Sequence, residues 1–248
     1  MRKVLTITLI LLGCISSQMN EDTQQVIVVV NEKWEDSKAT LYLLEKKDNQ
    51  WQHQTSWPTV TGRNGLAWGK GEFTLPSKDM VEKKEGDGKA PAGIFKITNM
   101  LYGYAKTPPE GTKLNYTALS ENYLGIDDSK SKYYNKIVDT RKIEKDWDSF
   151  EHMRRKDHLY RWVLVVEHNL NPTTKGSGSC IFLHLWISPQ SDTSGCTAMS
   201  EANILKLIKW IDPQKKPRFI QLPRRIYQSY ASQMGLPKLP VEEPKNEK

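Results

Sequence analysis

Residues 179–187, SCIFLHLWI, constrain the fold more than any other stretch of this chain. In a strand, successive side chains point to opposite faces. Ile181, Leu183, Leu185 and Ile187 then share one face, and Cys180, Phe182, His184 and Trp186 share the other. The first face is wholly aliphatic and belongs in a core. His184 is therefore placed on the opposite face, near the end of the strand.

The same reading extends along the chain. VIVVV at 26–30 predicts a buried strand, and the runs at 39–46 and 50–57 predict a hairpin across KKDN. Residues 61–71 are glycine-rich and predict turns. A charged loop from 82 leads through Pro91 and Gly93 into a further strand. Residues 99–125 lack periodicity and read as loop. Strands are predicted at 133–138 and 161–168, and a short helix at 146–155, with Trp147, Phe150 and Met153 on one side. Ser200 is a good helix N-cap, followed by Ile204, Leu207, Ile208 and Ile211 at helical spacing. A last strand, PRFIQLP, a last helix from Arg224, and a loose polar tail over 236–248 complete the chain. Mostly strands with two or three peripheral helices make a β-rich α+β fold of one domain, over residues 24–235.

Apolar residues make up 38% of the chain, enough for a sizeable core, which excludes global disorder. The net charge is +7, but acidic residues are interspersed and no basic stripe of the nucleic-acid type appears. The excess charge reads either as a solvated surface or as attraction to an anionic polymer of a cell envelope. The first 19 residues have the layout of an export signal: MRK, then the apolar run VLTITLILLG, then a small polar segment. Cys14 in LLGC resembles the lipidated cysteine of a lipoprotein signal, which would supply a membrane anchor. Cleavage near Ser16 or Ser17 is the competing reading.

With Cys14 set aside, Cys180 and Cys196 remain. In an exported protein two cysteines suggest a disulfide. The alternative is a nucleophile. A loop after the strand can fold Cys196 back beside His184, and a thiol next to an imidazole is an activated nucleophile. Gly195 lets the backbone approach a substrate closely, and the amides of Gly195 and Cys196 could face a developing oxyanion. Cα atoms four residues apart in a strand are about 13 Å apart, whereas a disulfide needs about 7 Å or less. A Cys196 that touches His184 can therefore barely reach Cys180, and the two readings nearly exclude each other. His152 and His158 read as surface residues, His168 as structural or solvent-facing, and Asp87 as fixing a turn.

FLH followed by TSGC resembles the catalytic signature of the L,D-transpeptidases of the YkuD type. His184 matches the histidine, and Thr193, Gly195 and Cys196 match the Ser/Thr-x-Gly-Cys part. Upstream, EGDGKAPAGIFKI is similar to the family's Gly-Asp-x-x-Thr-Pro-x-Gly-x-Phe through Gly86, Asp87, Pro91, Gly93 and Phe95. Leu185 stands where many members have glycine, and Ala198 where many have arginine. Trp186 shares the His184 face and could floor a substrate groove or simply pack. Thr193 and Ser194, beside Gly195, could orient His184, donate to substrate or only shape the turn. The resemblance implies a Cys196–His184 dyad and no metal or cofactor. It implies a monomeric exported acyltransferase of the cell envelope acting on peptidoglycan stem peptides, with no nucleic-acid partner. Its thioester on Cys196 would be resolved by an amine, giving a 3-3 crosslink, or by water, making it an L,D-carboxypeptidase. An inactive wall-binding protein with a Cys180–Cys196 disulfide is the remaining alternative.

Overall fold

The computed structural model describes residues 22–72 and 81–240. The expected leader over 1–19, with Cys14, and the end of the expected tail lie outside the described residues. In chain order the strands are β1 (Gln25–Asn31), β2 (Lys38–Lys47), β3 (Gln50–Val60), β4 (Leu66–Trp68), β5 (Ala90–Gly103), β6 (Asn115–Ala118), β7 (Tyr123–Ile126), β8 (Lys136–Asp139), β9 (Glu151–His152), β10 (Trp162–Val166), β11 (Phe182–Leu185), β12 (Thr197–Met199) and β13 (Arg218–Pro223). The helices are α1 (Glu201–Trp210) and α2 (Arg224–Tyr230). The β-rich α+β expectation holds. No helix among the described residues is long and apolar enough to cross a membrane.

The main sheet runs β10-β11-β12-β3-β2-β1-β13-β5-β4, with β6 added on β5. β10 also pairs directly with β5, so this path closes on itself into a ring. The length of β5 makes closure possible: residues 93–96 pair with β13, and residues 97–103 pair with β10. A second sheet, β8-β7-β9, lies beside it in the chain between β6 and β10.

β1 explains why VIVVV does not alternate. It lies between antiparallel β2 and parallel β13 and is buried on both faces. Ile27 and Val29 enter a core shared with α1, and Val26, Val28 and Val30 enter a second core with Tyr227 of α2. Ile204, Leu207, Ile208 and Ile211 pack in the first core with Leu41 and Leu183. Ser200 caps α1 by accepting from the Asn203 amide.

Several sequence expectations need correction. Residues 99–125 carry the end of β5 together with β6 and β7, and the glycine-rich turns contain β4. The helix expected at 146–155 does not form. Trp147 and Phe150 fit a helical spacing, but Trp147 is drawn into a small core with Leu124 and Ile126. Polar groups of the same segment take distant partners: Asp146 accepts from Ser131, and the Asp148 amide donates to Asp128. Leu236 and Leu239, expected in a loose tail, are buried in the α2 core. The strand expected at 179–187 is shorter at both ends. Cys180 adopts a left-handed backbone, with φ 53°, and Ile187 is 78% exposed rather than core.

Burial, more than capping, should hold α1 in place. Leu207→Ala removes a fully buried side chain and should cost about 2–5 kcal/mol, whereas Ser200→Ala should cost about 1 kcal/mol. Urea unfolding of both variants checks the ranking.

Candidate active site

Two adjacent strands build the site. β11 and β12 are parallel, with Leu183 opposite Thr197 and His184 opposite Ala198. Just before β12, the Phe182 amide donates to the Cys196 sulfur at 3.4 Å. Cys196 therefore enters β12 against the strand that carries His184. The two side chains are 7% and 6% exposed and line the same cleft, of about 570 Å³.

The loop before Cys196 is tightly tied. Thr193 Oγ1 donates to the Cys196 carbonyl at 2.7 Å and accepts from the Gly195 amide at 3.1 Å. The Gly195 amide is thus committed to Thr193. The Cys196 amide has no acceptor among the described residues, and it is the donor left for an oxyanion. Gly195 has φ 150°, and a Cβ there would meet the Lys89 carbonyl at 2.9 Å, so the position requires glycine. Ser194 accepts from Arg63 at 3.0 Å. Trp186, half-buried, does not line the cleft; its backbone amide pairs with the Met199 carbonyl.

The thiol donates to the Cys180 carbonyl at 3.4 Å. The left-handed backbone of Cys180 breaks the extended geometry there. The Asn135 side chain holds that conformation, accepting the Cys180 amide at 2.9 Å and donating to the carbonyls of His168 and Asn169. This break also weakens the spacing argument against a Cys180–Cys196 contact, which assumed a continuous strand. Both thiols are nevertheless free and unlinked.

His184 is oriented by two groups. Its Nδ1 lies 2.7 Å from the Leu185 carbonyl. A carbonyl can only accept, so Nδ1 carries the proton and Nε2 is left as the base. The ring also meets the edge of Tyr160 at a centroid distance of 5.0 Å. Tyr160 shares a buried cluster with Cys196, and its hydroxyl donates to Glu151 Oε2 at 2.5 Å. One buried phenol thus packs against the imidazole and lies in the cluster that holds the sulfur.

Burial sets the protonation states. Desolvation, with Glu151 adding to it, pushes the Cys196 thiol up to about 12. Desolvation lowers His184 to about 4, and Arg155 pushes the same way. The structure holds a neutral thiol and a neutral imidazole, because an ion pair would have to be created in a poorly solvated pocket. Glu151 is itself raised by desolvation.

Sequence reasoning missed Tyr160, Glu151, Arg63 and Arg155, all of which line the cleft. Nothing local marks them: Tyr160 precedes β10, and Glu151 sits in the segment expected to be helical. His168 is structural, with Nδ1 accepting from the Lys70 amide and Nε2 donating to the Ser177 carbonyl. Asp87 fixes its turn by accepting from the amides of Lys84 and Lys89. No group of His, Cys, Asp and Glu among the described residues is arranged to hold a metal ion.

A family model, the L,D-transpeptidase catalytic domain (YkuD), matches residues 25–220. Among solved structures, that of Bd1075 from Bdellovibrio bacteriovorus matches at 14% identity, over 80% of this chain and 47% of that one, with a TM-score of 0.40. This chain therefore spans about half the length of that one. No curated protein gives a significant match.

Two outcomes follow from the protonation states. Alkylation of Cys196, read by peptide mass spectrometry, should rise about tenfold per pH unit through neutrality with no plateau, since the thiolate is scarce there. A thiolate–imidazolium pair would give a plateau instead. His168 and His184 are both lowered to about 4 by burial, so the unfolded chain takes up their protons first. The stability they contribute is present above the unfolded value near 6.5 and is lost as pH falls toward 4, by up to about 3 kcal/mol each. Urea unfolding across this window measures the loss.

Proposed function

Because the chain belongs to the L,D-transpeptidase (YkuD) catalytic-domain family, we propose that Cys196 is the nucleophile of an acyl transfer on peptidoglycan stem tetrapeptides. The observation that carries this reading is that Cys196 and His184 line one cleft, with the histidine tautomer fixed so that Nε2 is the free base. Cys196 attacks the carbonyl of the diamino acid at position three. His184 Nε2 receives the thiol proton as the carbon–sulfur bond forms. The Cys196 amide, which has no acceptor among the described residues, donates to the oxyanion. His184 then gives the proton to the departing D-alanine nitrogen, leaving a thioester on Cys196. The amine of a second stem attacks the thioester and loses its proton to His184 Nε2, which returns it to the departing sulfur, so the 3-3 crosslink forms and the Cys196 thiol is restored.

Thr193 and Ser194 serve as positioning residues in this scheme, since their hydrogen bonds fix the Cys196 loop and Arg63. Tyr160 orients the imidazole through its ring edge. The leader over 1–19 would deliver the domain to the cell envelope, as its substrate requires.

Incubation of the purified protein with stem tetrapeptides tests the reading. Intact-mass spectrometry should show a tripeptidyl adduct on Cys196 and crosslinked dimers in solution. Cys196→Ala should remove both and leave the unfolding midpoint within about 1 kcal/mol of the parent. Released tripeptide without dimers would reassign the resolving group to water. Adduct formation that survives Cys196→Ala would refute the nucleophile.

A further inference from the structure

Three cations line the cleft: Arg63, Lys83 and Arg155. Two of them are already neutralised. Lys83 is buried against Asp87 at 2.6 Å, and Arg155 is bonded to Asp157. Arg63 has no carboxylate partner among the described residues; its guanidinium contacts only the Ser194 hydroxyl, at 3.0 Å. The carboxylates of the cleft wall are Glu85, Asp127, Glu151 and Asp192. They repel an anion, which leaves Arg63 as the place where one can bind without breaking an ion pair.

The position of Arg63 is built into the fold. Its amide donates to the Thr193 carbonyl at 2.8 Å, and the Thr193 amide donates to the Thr61 carbonyl at 3.0 Å. The backbone of Arg63 is thereby laced to the loop that ends in Cys196. Gly88 leaves room for the guanidinium, since a Cβ there would lie 3.1 Å from Arg63 Nε. Ser194, the contact of the guanidinium, is two residues from the nucleophile.

We propose that Arg63 binds a free carboxylate of the acyl donor beside Cys196 and so selects which stem peptides are accepted, a role that rests on the nucleophile reading above. A guanidinium and a carboxylate form a two-point, charge-assisted contact. Two carboxylates of the donor offer that chemistry: the terminal carboxylate of the departing residue and the side-chain carboxylate of the diamino acid.

Binding measured on the Cys196→Ala protein tests the proposal without needing the chemistry. Three peptides are compared: the free-acid tetrapeptide, its C-terminal amide, and the tetrapeptide amidated at the diamino-acid side chain. The free acid should bind about tenfold or more tighter than one of the two amides. Arg63→Gln should bring that preference close to one, and Arg63→Lys should keep part of it. The amide whose penalty disappears identifies the carboxylate. Equal weakening of all three peptides by Arg63→Gln, a preference that survives it, or no binding by any peptide would overturn the assignment. An intact preference in a protein whose Cys196 never forms the adduct would instead remove the nucleophile and keep Arg63.

Discussion

The parallel pairing of β11 with β12 is the constraint on which the site depends. Its register sets His184 level with Ala198 and leaves Cys196 beside Phe182, at the point where β12 begins. Parallel neighbours normally need a long crossover. Here a short loop returns the chain, and it is held by its own contacts. Gly62 bridges Thr193, and Ala198 pairs with Val60 of β3. The ring closed by β5 and β10 makes that edge rigid, since Leu164 of β10 pairs with both Leu183 and Leu101. The sulfur and the imidazole are thus placed by backbone hydrogen bonds rather than by a mobile loop.

Burial then decides how the pair can work. Forming a thiolate and an imidazolium in this pocket means desolvating two ions, and their mutual attraction does not reliably offset that. The nearby Glu151 adds to the cost of the thiolate. The proton therefore stays on sulfur in the resting site, in contact with the Cys180 carbonyl. In the proposed acyl transfer, the proton moves to Nε2 as sulfur bonds to carbon and the negative charge moves to the carbonyl oxygen, where the Cys196 amide would meet it. Tyr160 suits this scheme. It packs against the imidazole while its own proton is held toward Glu151.

The sequence made the large elements legible because their signals are local. The aliphatic alternation of 181–185 and the VIVVV run reported sheet faces, and Ser200 with its apolar stripe reported α1. Spacing alone left Cys196 open between a disulfide and a nucleophile, and it was the resemblance of FLH and TSGC to a family signature that singled it out with His184. The rest of the cleft was not legible, for identifiable reasons. Glu151 and Tyr160 reach Cys196 only because β9 pairs with β7 and the chain then turns into β10, a long-range consequence with no periodic trace. The left-handed backbone of Cys180 is set by Asn135, far away in sequence, so an unbroken strand was the natural local reading. The amide of Gly195 looked available, and only the position of the Thr193 hydroxyl shows that it is occupied.

The distribution of charge in the cleft follows from the same packing. Ala198 lies between His184 of β11 and Val60 of β3, with no exposure, so a guanidinium at that position would have to be buried in the sheet. A cation for the substrate must instead come from across the cleft. Recruiting Lys83 or Arg155 means breaking its pair with Asp87 or Asp157 and leaving a carboxylate uncompensated. Recruiting Arg63 costs only a neutral contact with Ser194, and the guanidinium has donors to spare for a second acceptor. The same contact couples an anion bound at Arg63 to the loop of the nucleophile, through Ser194 and the Thr193 carbonyl. In that proposal, charge recognition and the placement of sulfur would be carried by one hydrogen-bonded segment of backbone.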